Sequence, residues 1–597
     1  MSSRKSGGGR GMRDGGDRGS GMGVGRGGKW IATARAVASA IASSVAGSVV
    51  GSAARAVAGS ISRAARASAA LGFVARPERS TRLFYASASG SLLSRAACGA
   101  SGALRRFGAW FGRRFPESVT LWFAKWLGER FCLLFCAFAA IHALTPYELY
   151  RNQYTVAAMA FFLLCAASRV AFSAGGTDGT YRRSIGTVGS ISERRSVGTV
   201  GSVASASSAA SVASASSSAS VDGSMRTDPA LLLYFCAVAA SGAFSLLGAG
   251  AGLASTTTAT LYLTAILFAF LVPCAFAEPR RLGALIAVIV ASATAMSLYG
   301  IFQYIRGVPI DVTQTDQQTG GASLAMGRVD ATVGNPNVLA GWLILAIPFG
   351  VSLFFGVRGL RAKLLAAAAV APCFLCLLLT QSRSGWVGLA AAAVTYLFLL
   401  EWRLVPALAA AGALSMPLWP QFILDRFMTL GADTSSVYRI TIWSGSFRMA
   451  VGNMFTGVGI GLEYFRRFIN NYVYFPYETA PVHSHMLPLQ IWLESGIVAA
   501  AAFAWFALRM VKKGVARVFA ARRENAASDA GDGRCRLPIG RQGMRLTLTA
   551  CVSGFVGFLA MGVFEYVWFF PRCMNMFFIV AGVFVCALRI ESARQAQ

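Results

Sequence analysis

His483-Ser484-His485 places two of the chain's three histidines in one short segment, directly before an apolar run that opens at Met486-Leu487. Histidine is the side chain whose proton moves most readily near neutral pH, so it suits a general base acting on a hydroxyl. The pair closes a long connection, residues 420–486, and long connections within helical bundles are often functional. Two other readings stand beside the base. The pair could decorate a membrane interface, or it could bind zinc, although His-x-His with no Cys or third His nearby is incomplete as a zinc site.

Cations come next. Thr380-Gln381-Ser382-Arg383-Ser384-Gly385 lies between two closely spaced apolar runs, and an Arg held near hydrocarbon is costly enough to need a partner. A guanidinium is a planar fork that matches phosphate oxygens; the alternative is an Arg that snorkels to the headgroups. Arg328 and Arg439 fall on the same side of the membrane as Arg383 in the topology below, and several cations on one side point to an anionic ligand. Asn335-Pro336-Asn337 precedes another apolar run, and capping of that helix by an Asn accounts for the motif. Gly457, Gly459 and Gly461 read as a tight turn, since their spacing does not fit Gly-x-Gly-x-x-Gly.

Absences narrow the chemistry further. The chain has no Gly-x-x-x-x-Gly-Lys-[Ser/Thr] loop for ATP and no Asp-x-Asp to hold a divalent cation beside a nucleotide sugar. Cys373-x-x-Cys376 lies inside an apolar run and reads as packing, as do most of the other cysteines, which form no secreted disulfide framework.

The elements that must position these residues are helices in a membrane. The chain is 55% hydrophobic and only 13% charged, with a mean hydropathy of +0.55. Soluble proteins carry roughly 25% charged residues, so a soluble enzyme is excluded. From Phe131 onward about twelve apolar runs follow one another, at 131–146, 154–173, 229–249, 257–277, 282–302, 338–356, 363–381, 384–400, 404–419, 487–510, 546–567 and 573–589. Each is near the roughly 20 residues a bilayer core requires, which predicts an all-α polytopic membrane protein. A net charge of +30 would suggest nucleic acid in a soluble protein, but here the excess sits at one end and in particular loops, so no nucleic acid is expected.

Cationic loops stay in the cytoplasm. Arg280-Arg281, Arg358 to Lys363, the Glu401-Trp402-Arg403 turn and the stretch from Lys512 to Arg545 therefore mark the inner side. Alternation then puts residues 303–337, the turn at 381–384 and the segment 420–486 outside, with both termini inside. Residues 1–115, rich in Gly, Ala, Ser and Arg, read as a disordered basic cytoplasmic arm. Residues 116–173 hold the first helices, 174–228 a low-complexity cytoplasmic insert with the near-copies Ser184–Ser190 and Ser196–Ser202, 229–419 more helices, 420–486 the long external loop and 487–597 the C-terminal helices.

Taken in order, these pieces resemble the O-antigen ligase and polymerase superfamily of bacterial envelope glycosyltransferases. The resemblance rests on Arg328 followed by Gly334-Asn335-Pro336-Asn337, on Thr380 to Gly385, on Arg439 with Trp443 and the 457–461 turn, and on His485 with Gln490, Glu494 and Gly496. Where the family usually has Asn after the histidine, this chain has Met486. The resemblance implies metal-independent, cofactor-free transfer of a glycan from undecaprenyl diphosphate to an acceptor hydroxyl, at the periplasmic face of a bacterial inner membrane. His485, Arg383 and Arg439 would be catalytic, and Arg328, Asn335, Asn337, His483 and Glu494 would contact substrate. The acceptor would be lipid A core for a ligase, the growing polysaccharide for a polymerase, or a protein hydroxyl for an O-oligosaccharyltransferase. Some relatives are bicarbonate transporters, in which the same arginines would bind an anion in transit. A transport path should carry ionisable groups near mid-span, whereas Glu494 and Glu565 lie near span ends.

Overall fold

The computed structural model describes residues 88–172, 228–247, 252–307, 328–421, 423–424, 434–473, 481–531 and 539–595. Residues 1–87 of the arm, the insert up to 227, the connection at 308–327, Asp425-Arg426-Phe427, Arg534 and Arg536 lie outside the described residues.

Within lipid every backbone N–H and C=O must be satisfied inside the chain, which a helix does within one segment. All regular structure among the described residues is helical. The order is α1 (Ala88–Arg114), α2 (Val119–Leu144), α3 (Asn152–Phe172), α4 (Pro229–Leu247), α5 (Gly252–Ala275), α6 (Pro279–Arg306), α7 (Pro336–Gly356), α8 (Leu360–Leu379), α9 (Arg383–Glu401) and α10 (Leu404–Ser415). There follow α11 (Thr434–Gly452), α12 (Leu462–Ile469), α13 (Leu487–Gly531), α14 (Ile539–Gly562) and α15 (Pro571–Gln595).

Each of the twelve apolar runs corresponds to one helix, and ten helices are long and apolar enough to cross a membrane. The chain is a polytopic, multi-pass membrane protein. The two shorter apolar stretches are Pro229–Ser245 and Leu404–Ser415. With 12 residues, α10 reaches roughly 18 Å, short of a ~30 Å hydrocarbon core. The centre of the bundle holds α15, α7 and α14, whose apolar windows are 83%, 78% and 72% buried, whereas α3 and α8, at 28%, lie at the periphery. Helix α5 packs along α15, and both α7 and α9 pack along α14.

Side-chain contacts tie helix ends together at both ends of the bundle. At one end Arg572 donates to the carbonyls of Thr332, at 2.6 Å, and of Thr145, joining the tip of α2 and the loop before α7 to the start of α15. At the other end Asp228 meets Arg509 at 3.2 Å and Lys513 at 2.9 Å, and Glu401 meets Arg522 at 2.7 Å.

Three expectations change. Residues 88–114, read as part of a disordered arm, form α1, because Ala, Leu and Arg favour helix and the chain approaches α3 closely at Gly108. A Cβ on Gly108 would stand 2.2 Å from the Ala171 carbonyl oxygen. The cations Lys512 to Arg523 are not in a loop, because α13 continues past the apolar run and carries them. The long connection 420–486 is also not a plain loop, since it contains α11 and α12.

Candidate active site

The histidine segment is held by a glycine break. Gly496 interrupts α13 with φ 79°, and a Cβ there would lie 1.9 Å from the Phe455 carbonyl oxygen. The break lets Ile497 N–H donate to Met454 O at 2.9 Å while Leu493 O accepts from Val458 N–H at 2.6 Å. The turn of Gly457, Gly459 and Gly461, all at positive φ as a tight turn requires, is thereby stapled to the first turns of α13. A small separate core of Tyr438, Ile442, Phe465, Ile469, Leu489 and Leu493 joins α11 and α12 to the same turns. Arg439, next to Tyr438, and His485, next to α13, are thus positioned by one rigid unit.

At the centre of the site is Glu565, in the turn between α14 and α15, with its side chain 4% exposed. Its Oε1 accepts from Tyr566 N–H at 3.2 Å and lies 2.9 Å from His485 Nδ1. Its Oε2 accepts from an Arg439 guanidinium nitrogen at 2.8 Å and from Asn337 Nδ2 at 2.9 Å. A second Arg439 nitrogen donates to Phe564 O at 3.3 Å. The chain of bonds continues outward, because Arg328 donates to Asn337 Oδ1 at 3.1 Å and to Thr380 O at 3.0 Å. Burial alone would raise the Glu565 pKa, but the Arg439 charge and the His485 contact hold the carboxyl well below the usual range. An ionised carboxylate only accepts, so His485 Nδ1 is the donor in this contact, and in the neutral ring the lone pair is then on Nε2.

His485 sits in the left-handed region at φ 52°, an unusual state for a residue with a Cβ. Three hydrogen bonds hold it. His485 N–H donates to His483 Nδ1 at 3.2 Å, Ser484 N–H donates to Gln490 Oε1 at 2.8 Å, and Ser484 Oγ donates to Met486 O at 3.1 Å. His483 packs against the rings of Tyr566 and Phe569, and its burial, helped by His485, pushes its pKa well down. It is therefore a neutral acceptor that shapes the turn. His485, with 20% of its side chain exposed, is the more accessible of the two histidines.

The structure brings Arg328, Asn337, Arg439, His483 and His485 together around Glu565. Asn335, expected to contact substrate, has its Oδ1 committed as the cap of α7, accepting from the N–H groups of Asn337 and Val338. Arg383 is the first residue of α9, after the cap Ser382, and is tied to the site through the turn whose Thr380 carbonyl Arg328 holds. Glu494, also expected at the substrate, lies in a different cluster, with Gln490 at 3.0 Å and Tyr262 at 2.5 Å. Sequence reasoning missed Glu565, noted only as an acid near a span end. The sole signal was its charge in an otherwise apolar stretch.

The zinc reading also changes in one respect, because Glu565 supplies the third ligand that the sequence lacked. The ligand atoms of His483, His485 and Glu565 all lie within 4.8 Å of one another, a spacing that could hold a metal ion. Glu565 is already filled by Arg439 and Asn337, and His483 Nδ1 by a backbone N–H, so an ion would have to displace these donors. Beside the site, an apolar groove of about 490 Å³ starts at Met486 and runs along Trp443, Phe447 and Trp492.

Residues 367–504 match the family described as O-antigen ligase. The matched stretch contains Arg383, Arg439, His483, His485 and Glu494, and leaves Arg328, Asn337 and Glu565 outside. No curated protein matches the chain.

Proposed function

With that domain at residues 367–504, the chain is a member of the O-antigen ligase-like superfamily, and on this premise we propose that it transfers a glycan from undecaprenyl diphosphate to an acceptor hydroxyl at the periplasmic face of a bacterial inner membrane. The coarser statement, a membrane glycosyltransferase of ligase or polymerase type, follows from the family. The observation that carries the finer one is Glu565 bridging His485 and Arg439, because a base and a phosphate-binding cation are then fixed on one carboxylate.

His485 Nε2 takes the proton of the acceptor hydroxyl, while Glu565 holds the ring and stabilises the imidazolium that forms. The acceptor oxygen attacks the anomeric carbon, the bond from that carbon to the phosphate oxygen breaks, and its electron pair stays on the diphosphate. Arg439 and Arg383 pair with that charge, so no carboxylic acid is needed to protonate the leaving group, in contrast to a glycosidase. A single displacement inverts the anomeric centre, and no metal takes part. The groove beside Met486 is apolar throughout its wall, which suits the polyprenyl chain of the donor. Lipid A core is the acceptor we favour; a growing polysaccharide and a protein hydroxyl are the alternatives. Anion transport is disfavoured because Arg439 is tied to a carboxylate, and Arg328 to an amide and a backbone carbonyl, at one end of the bundle.

The test is envelope glycan profiling of a deletion strain complemented with the wild type or with His485→Ala at matched membrane levels. The expected result is that only the wild type restores polymer or linkage. Accumulation of unligated full-length glycan identifies a ligase, and of single repeat units a polymerase. Equal behaviour of the two proteins rules out His485 as the base.

A further inference from the structure

Behind the wall formed by Tyr566 and Phe569 is a second cavity, of about 170 Å³, which the transfer chemistry does not use. The ring of His483 packs against Tyr566 and Phe569 at centroid distances of 5.4 and 5.2 Å, and Tyr566 N–H donates to Glu565. The cavity therefore shares a wall with the active site without opening on His485.

Its lining combines acceptors, hydroxyls and rings. Glu494 is 3% exposed and takes hydrogen bonds from Gln490 and Tyr262, and the Tyr262 and Tyr566 hydroxyls contact each other. Among the described residues no cation pairs with Glu494. A buried carboxylate without a cation is expensive, and packing α13 against α5 would be served as well by an apolar side chain. Trp568 and Phe569 supply flat apolar faces, and Asn152 and Thr258, both half-buried, stand at the rim.

A buried carboxyl group disfavours a lipid tail, but it exchanges hydrogen bonds with hydroxyl groups, and aromatic faces cover the C–H side of a ring. At ~30 Å³ per water the volume equals roughly five or six waters, room for one ring and not for a chain of them. We propose that this cavity is a monosaccharide subsite, holding by its hydroxyls one sugar ring of the glycan at a distance from the reacting bond. The subsite rests on the transferase reading for its purpose, since binding energy from a remote ring can be used to align the reacting one. The ring can belong to the donor glycan or to the acceptor.

The test uses full-length His485→Ala protein in nanodiscs, which cannot turn over, with free glucose, galactose, mannose and N-acetylglucosamine as probes in saturation-transfer NMR. At least one sugar is expected to bind at millimolar concentration, with the signal reduced about tenfold by adding Glu494→Gln or by Thr258→Trp, which fills the mouth. Thr258→Ser, which keeps the hydroxyl, should bind as before, and thermal unfolding of each variant separates loss of the site from loss of fold. In the transfer assay with His485 intact, Thr258→Trp should raise the KM of one substrate, and whether donor or acceptor is affected names the source of the ring. Absence of binding by all four sugars, binding indifferent to both substitutions, or two unchanged KM values each overturns the subsite while leaving the transferase reading intact. Sugar binding in a protein whose deletion alters no envelope glycan has the opposite meaning: the subsite stands and the transferase reading falls.

Discussion

His485 Nδ1 and Glu565 Oε1 lie 2.9 Å apart across 80 residues of sequence, in two turns that meet at one end of the bundle. The contact fixes which histidine nitrogen is free, and the same carboxylate holds Arg439 at 2.8 Å.

Glu565→Gln keeps the shape of the side chain and removes its charge, so the imidazolium loses its counter-ion and Arg439 its partner. Transfer should fall about 10²-fold or more, within the range for a mispositioned general base, at unchanged protein levels. Near-wild-type transfer by this variant would remove the carboxylate from the mechanism.

Arg439→Lys retains the positive charge but not the fork that reaches both Glu565 and Phe564 O. A drop of about tenfold or more in kcat/KM is expected, with Arg439→Ala lower still. Equal rates for Lys and Ala would show that charge at this position is irrelevant.

His483 has a pKa depressed in the folded state, so the unfolded chain binds the extra proton and stability rises with pH. Its contribution is complete above the unfolded value of about 6.5 and is lost as pH falls below it. Glu565, also depressed, acts in the same direction at lower pH, its contribution being lost below the ordinary carboxyl range of about 4. Thermal unfolding from pH 7.5 to 5 should therefore show a falling Tm. His483→Asn, whose amide oxygen can still accept from His485 N–H, should flatten that fall; an identical slope in both proteins assigns the dependence elsewhere.

Gly496→Ala places a Cβ against the Phe455 carbonyl and forces an L-residue to φ 79°. A loss of about 2 kcal/mol or more is expected, together with loss of transfer, because the staple that presents His485 is broken. Unaltered unfolding and activity would show that the break in α13 is dispensable.

A chelator should leave transfer unchanged if His485 acts as a free base, whereas added Zn²⁺ should inhibit by occupying His483, His485 and Glu565, whose ligand atoms lie within 4.8 Å of one another. Chelator-sensitive transfer restored by metal would instead make that trio a metal site.

The sequence by itself determined the membrane class and the positions of the twelve apolar helices, because hydrocarbon demands long uncharged helical runs that composition cannot hide. It also singled out His485 and Arg383, because ionisable groups at the edges of apolar runs need a reason to be there, and Arg439 as a cation within the long connection between two such runs. It could not separate the roles of His483 and His485, which differ only in which one is buried against Tyr566 and Phe569. Nor could it show that Lys512 to Arg523 ride on a continuing helix, since cationic side chains mark a side of the membrane without marking where a helix stops. Glu565 was decided by the tertiary structure alone. An acid in the α14–α15 turn has no local pattern to announce it, and its meaning comes only when the bundle brings it against Asn337, Arg439 and His485, where three donors make a buried carboxylate affordable.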